Sequence, residues 1–402
     1  MKFYLSVSTI LLCIAPLLAQ TPGTCAGMSV GAGANLNGYV PFNGSSLWNT
    51  DVSGANVDAL SPNYITYIGA AVGLHADFGA GTYQKHTIGI PYQVVAGSQP
   101  KVPILFGLYP SESDPGPMSI PANALIEGYP QPGKGDRHVL ALDKDGCWLY
   151  ELYNAYVQSN GNWKADAAAV WDMTINAQHP YRWTSADAAG LPVFAGLARY
   201  DEVAAGAINH ALRFTVPSTQ QAFVAPATHW ASTNTNPNAP PMGLKLRLRA
   251  DFNTSGFGPQ SRVILAALKK YGMILADNGS GIYISGAPDN RWDNNDLAQL
   301  KTVAASNFEV VSTGTVYTRA NVPSGAAPTI QSFTANPISV AKGQPVTLSW
   351  TVMNGEYNIV SPLVGATRGD QIVVVPAATT TFKLYSTNQF GRAIASVTVT
   401  VH

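Results

Sequence analysis

The chain reads as a mainly β protein with a few helices, in which a sandwich-like main domain is followed by a small, separate antiparallel sandwich. Three observations predict this. Short runs of alternating apolar and polar residues recur, as in Val346, Leu348 and Trp350 interleaved with Thr347 and Ser349. Gly, Asn and Pro punctuate those runs, as turns require. Residues 321–328, Asn-Val-Pro-Ser-Gly-Ala-Ala-Pro, have linker composition, and the text changes character beyond them.

Taken in order, residues 1–19 read as a signal peptide. One charge at Lys2 precedes an apolar run over 3–18, then Ala19 and polar Gln20. The run falls short of the roughly 18 to 20 residues a spanning helix needs, so export without membrane insertion is expected, to the periplasm, the cell surface or the medium. The main domain is placed at 20–322, the linker at 323–328 and the tail module at 329–402. Within the main domain, 137–142 and 147–153 read as a hairpin closed by Asp143, Lys144, Asp145 and Gly146. Residues 208–216 read as a strand. So do 244–249, where Leu244, Leu246 and Leu248 should face inward and Lys245, Arg247 and Arg249 outward. One helix stands out, with Val263, Ile264, Ala267, Leu268 and Tyr271 at helical spacing, Ser261 as its cap and Gly272 as its stop.

Composition narrows function. Formal charge is balanced and charged residues are only 11% of the chain, so neither nucleic acid nor a strongly cationic partner is indicated. Removing the leader takes Cys13 with it and leaves Cys25 and Cys147, which in an oxidising compartment most economically pair, two separate thiols being the alternative.

The tail from Pro328 to Val401, with "TLSW", "PAATTTFKLYSTNQFG" and "ASVTVTV", resembles the bacterial immunoglobulin-like domains attached to exported enzymes and adhesins. That resemblance implies a spacer or a weak binder. The main-domain strings "GDRHVLALD", "WTSADAAGLPVFAGLARYDE" and "ALKKYGMILADNGS" resemble a widespread group of exported bacterial proteins of unassigned function, which implies no activity.

Candidate chemistry therefore rests on residue types. Glycoside hydrolysis needs two carboxyl groups, one protonated and one ionised, about 5 to 10 Å apart. Asp187, among small neighbours, paired with Asp201 or Glu202 answers that need if the chain folds back, although a helix cap and a surface pair with Arg199 are the plainer fates. His210 and His138 are further catalytic candidates. Arg199, Tyr200, Arg213, Trp183 and Trp292 are candidates for holding a sugar chain. The same set permits lyase chemistry, with His or Tyr as base and Arg as neutraliser of a uronate. Arg137 belongs to that lyase set, His75 beside Asp77 reads more plainly as a satisfied core histidine, Asp277 follows the long helix, Asp289 lies in a Gly-, Pro- and Asn-rich loop, and Glu112 with Asp114 forms an acidic loop of unknown purpose. No two histidines have ligand spacing, and there is no nucleophile elbow or phosphate loop, so neither metal nor cofactor is expected. The reading is an exported enzyme that cleaves a polysaccharide, hydrolase before lyase, with a noncatalytic carbohydrate-binding or surface protein as the alternative.

Overall fold

A computed structural model describes residues 23–42, 44–312 and 314–402. The expected signal peptide lies outside them. The architecture is mainly β, with several sheets and few helices.

The first layer is a five-stranded sheet in the order Gly31–Ala32, Tyr92–Val95, Val139–Asp143, Trp148–Tyr153 and Ala167–Asp172. The expected hairpin is its centre, with Val139–Asp143 and Trp148–Tyr153 antiparallel. Alternation sends Leu140, Leu142, Leu149 and Trp171 into one core, and Val139, Ala141, Tyr150 and Val170 into another. The sheet is thus buried on both faces. Over the second face lies a three-stranded sheet ordered Ile104–Phe106, Trp163–Ala165 and Tyr156–Val157, which makes this half sandwich-like.

The other half is a six-stranded mixed sheet, ordered Phe308–Val311, Lys245–Leu248, Met273–Asn278, Leu212–Val216, Tyr283–Ser285 and His75–Asp77. Helices Ser61–Ile68 and Pro259–Lys270 contribute to its core. Two details of the expectation change here. Ser261 is not the helix cap, because Pro259 opens the helix and the amides of Gln260 and Ser261 are satisfied by the Asp296 carboxylate. Strand Lys245–Leu248 does not face solvent on one side. Lys245 is 2% exposed and donates to the Leu47 carbonyl, while Arg247 meets Glu309 and the Ala55 carbonyl. The long polar side chains are covered by the segment around residues 47–55, which alternation alone cannot reveal. The strand expected over 208–216 begins only at Leu212.

Cys25 and Cys147 are joined in a disulfide that ties the N-terminal arm to the central hairpin across 122 residues of sequence. Cross-linking so long a loop restricts the unfolded chain, so reduction is expected to lower stability by about 2 to 4 kcal/mol. Denaturant unfolding with and without reductant measures it, and coincident transitions would show that the arm is anchored by other contacts.

The C-terminal module is a β-sandwich of a three-stranded sheet (Thr329–Asn336, Val346–Met353, Gln371–Val374) and a five-stranded sheet built around Thr380–Asn388 and Gly391–Val401. It does not hang from a tether. Tyr357, Ile359 and Ala366 belong to the same core as Trp163 and Tyr150 of the main body. Arg368 stacks on Trp148 and donates to Asp172 at 2.7 Å. Gly365, at φ +76°, lies so close to Pro117 that a Cβ would come within 2.3 Å of the Pro117 carbonyl.

Candidate active site

Register across the six-stranded sheet assembles a polar face. Thr215 lies opposite both Asp277 and Tyr283, and Tyr283 opposite His75, on which it stacks at 4.0 Å. In the next row Arg213 donates to Ser285, which lies opposite Asp77. Asp277 reaches this face through an irregularity. In a regular strand it would share the core-facing side of Leu275. The ladder instead slips by one residue between Phe214 and Thr215, so Phe214 opposes Leu275 while Thr215 opposes Asp277. Such a bulge re-aims a side chain, here from core to cleft.

Two loops complete the walls. Glu127 comes from the segment before the central hairpin, and its amide donates to the His138 carbonyl while its Oε2 accepts from the His138 amide and, at 2.7 Å, from Nδ1. The small hairpin Thr82–Tyr83 and His86–Thr87 forms the rim, with Tyr83 69% exposed. Together these elements enclose an open cleft of about 630 Å³ lined by Asp77, Glu127, Asp136, His138, Arg213 and Asp277, among others.

The carboxyl groups of this cleft are driven apart in proton affinity. Burial, then the charge of Asp187, pushes Asp277 up to about 7 against the pull of Arg213. Glu127 goes the other way, because the charge and hydrogen bonds of His138 outweigh burial and hold its carboxyl below the usual range. His138 is correspondingly raised to about 9, with Glu127 outweighing burial. Asp77 is raised by its crowded setting and by Glu127, although it keeps contact with solvent at the cleft. Burial raises Asp187 as well, against the pull of Arg213, and in its coupled pair with Asp277 the hydrogen bonds favour the charge on Asp187 and the proton on Asp277. Asp187 takes charge-assisted bonds from Arg213 Nε and Nη2, both at 3.0 Å, and one from the Ala189 amide, whereas Asp277 accepts the neighbouring Asn278 amide.

No protein-family model matches the chain, and no curated protein matches it.

The residues singled out from sequence are distributed over this framework unevenly. Asp187 is 1% exposed and lies behind the cleft, where it neutralises Arg213 rather than meeting a ligand. His138 and Arg213 do line the cleft. Asp201, Glu202 and Arg199 line a different hollow of about 530 Å³, so the expected pairing of Asp187 with Asp201 or Glu202 in one groove does not form. Glu202 is held ionised by Arg199 at 2.6 Å and by His210 at 3.2 Å, and Asp201 pairs with Arg291 at 2.8 Å. His210 is buried and its other nitrogen meets the Ala211 carbonyl. Trp292 is buried, with its indole N–H donating to Ala287 and its ring against Phe78 and Tyr200. Trp183 faces the C-terminal module, beneath the Arg392 guanidinium at 4.3 Å. Both indoles are spent on packing.

Glu127 was missed because it sits in a loop with no motif around it. Asp277 carried a faint signal, a carboxylate closing the apolar run of Met273, Ile274, Leu275 and Ala276. Among the described residues no group of three His, Cys, Asp or Glu side chains is placed to hold a metal ion, and no helix is long and apolar enough to cross a membrane. A smaller hollow of about 120 Å³, between Trp48 and Trp171, has no ionisable lining residue.

Proposed function

We propose that this chain is an exported hydrolase that cleaves glycosidic bonds of a neutral polysaccharide, with Asp277 as general acid and Glu127 as the ionised carboxylate that activates water or attacks the sugar. The observation that carries this reading is that two carboxyl groups line one cleft in opposite settings, burial and Asp187 favouring the proton on Asp277 and His138 favouring the charge on Glu127. Acid and base roles in sugar hydrolysis require such a split. Tyr83 and Tyr283 on the lining offer ring faces for a sugar.

The charge inventory favours a neutral substrate, with Lys134 as the one cleft-lining cation unpaired among the described residues, against the carboxyl groups of Asp77, Glu127, Asp136 and Asp277. Arg213 is already paired with Asp187, and Arg137 is committed to the carbonyls of Ala155, Pro132 and Gly133. Lyase chemistry is less well supported, because His138 is held as an imidazolium between Glu127 and the Ala186 carbonyl and has no nitrogen left to take a proton. A noncatalytic binder accounts less well for ionisable groups converging on a hollow.

Incubation with neutral and acidic polysaccharides tests the reading by following reducing ends and the ultraviolet absorbance of unsaturated ends together. Reducing ends are expected alone, from a neutral polymer. Because Asp277 must be protonated, the rate is expected to fall as pH rises through about 7, and because Glu127 must be ionised, to fall again only below the usual carboxylate range. Unsaturated ends from an acidic polymer would point to elimination instead, and retention on polymer without cleavage to a binder.

A further inference from the structure

The cleft is the first of three hollows that share walls. A second, of about 280 Å³, shares Thr87 with it, and the third, of about 530 Å³, shares Tyr92 with the second. Arg291 stands at the second junction, bonded to Asp289 of the second hollow and Asp201 of the third, with its guanidinium 4.4 Å above the Tyr200 ring. We propose that the three hollows form one trough for an extended, uncharged polymer of many sugar units, which is cut at internal bonds in the cleft. This deepens the hydrolase reading and rests on it for the cutting, though not for the binding.

The chemistry of the outer hollows argues for the class of ligand. Their cations are spoken for, Arg291 by two carboxylates and Arg199 by Glu202. What they offer otherwise is amides such as Asn290 and Asn209, and backbone around Gly33 and Gly81, groups that suit hydroxyls. A polyanion would meet Asp289, Asp201 and Glu202 with no unpaired positive charge among the described lining residues. A short ligand would fill the cleft and leave two hollows of comparable polarity unused.

Asn290→Trp places a bulky ring in the second hollow at an exposed position whose side chain accepts only a 3.4 Å bond from the Gly81 amide. Ala207→Trp does the same in the third, also at an exposed residue. Retardation in gels containing a neutral glucan, a neutral mannan or polygalacturonate reads binding without catalysis. Wild type and Asp277→Asn are expected to be retarded alike by a neutral polymer, and Asn290→Trp at least about tenfold less. Turnover of that polymer should fall by a similar factor in Asn290→Trp. If both tryptophan variants bind and cut polymer as wild type does, the trough is wrong and the hydrolase survives. If Asp277→Asn still cuts but the tryptophan variants lose retardation, the catalytic assignment is wrong and the trough survives. Stronger retardation by polygalacturonate than by either neutral polymer would overturn the proposal.

Discussion

Asp277→Asn is expected to yield a folded protein whose turnover of polysaccharide is reduced by roughly 10² to 10⁴, the range that a positioned general acid supplies. The amide has nearly the shape of the carboxyl and can still accept the Asn278 amide bond. It cannot deliver a proton. Stability should change little or rise slightly, since the carboxyl it replaces is one that burial and Asp187 already disfavour in its charged form. The alkaline fall of the residual rate near pH 7 should disappear with the side chain. Full activity in a folded Asp277→Asn variant would remove Asp277 from the chemistry. Glu127→Gln is the less clean probe, because it also removes the partner that keeps His138 charged and tied to its loop.

Arg392→Ala is expected to destabilise the whole protein by about 3 to 5 kcal/mol, the usual cost of leaving a buried charge unpaired. Its Nη2 lies 2.6 Å from Oδ1 of Asp114, a carboxylate with no solvent exposure that also accepts from the Val170 amide and the Tyr357 hydroxyl and has His179 Nε2 at 3.0 Å. Burial alone would raise Asp114, but His179 and Arg392 outweigh it and keep the carboxyl ionised. Two of these partners come from the main body, as does Asp114 itself, and two from the C-terminal module, so the cluster is a weld between them. Denaturant unfolding checks the magnitude. Pairing Arg392→Gln with Asp114→Asn should cost less than the sum of the two single changes, because each removes the other's stranded partner. An Arg392→Ala protein as stable as wild type would show that the ion cluster adds nothing to the core the module shares with the main body.

That weld marks the limit of what the sequence discloses. The strands of both sandwiches were legible, because alternation at Val346, Leu348 and Trp350, or across the Val139–Asp143 hairpin, reports which face is buried. The pairing of Cys25 with Cys147 followed from compartment and count. Lys245 and Arg247 misled because a covering segment lies far away in sequence, and Arg368 and Arg392 gave no sign that their partners, Asp172 and Asp114, lie on the other unit. The site was the least legible part. Arg213 and His138 were singled out, but the carboxyl pair was sought at Asp187, Asp201 and Glu202, which salt bridges hold elsewhere. Asp277 and Glu127 come to line one cleft only through a one-residue slip in a ladder and a loop folded over a distant sheet. Neither leaves a periodic or spaced pattern to read.

The most direct test of the account is the protonation of Asp277 itself. Infrared titration of the carboxyl band in wild type, minus the same titration in Asp277→Asn, isolates that one group. A difference signal that loses its protonated band near pH 7 is the result predicted. A group that has given up its proton by pH 4, the ordinary carboxylate range, could not serve as the acid, and the proposed division of labour in the cleft would fall with it.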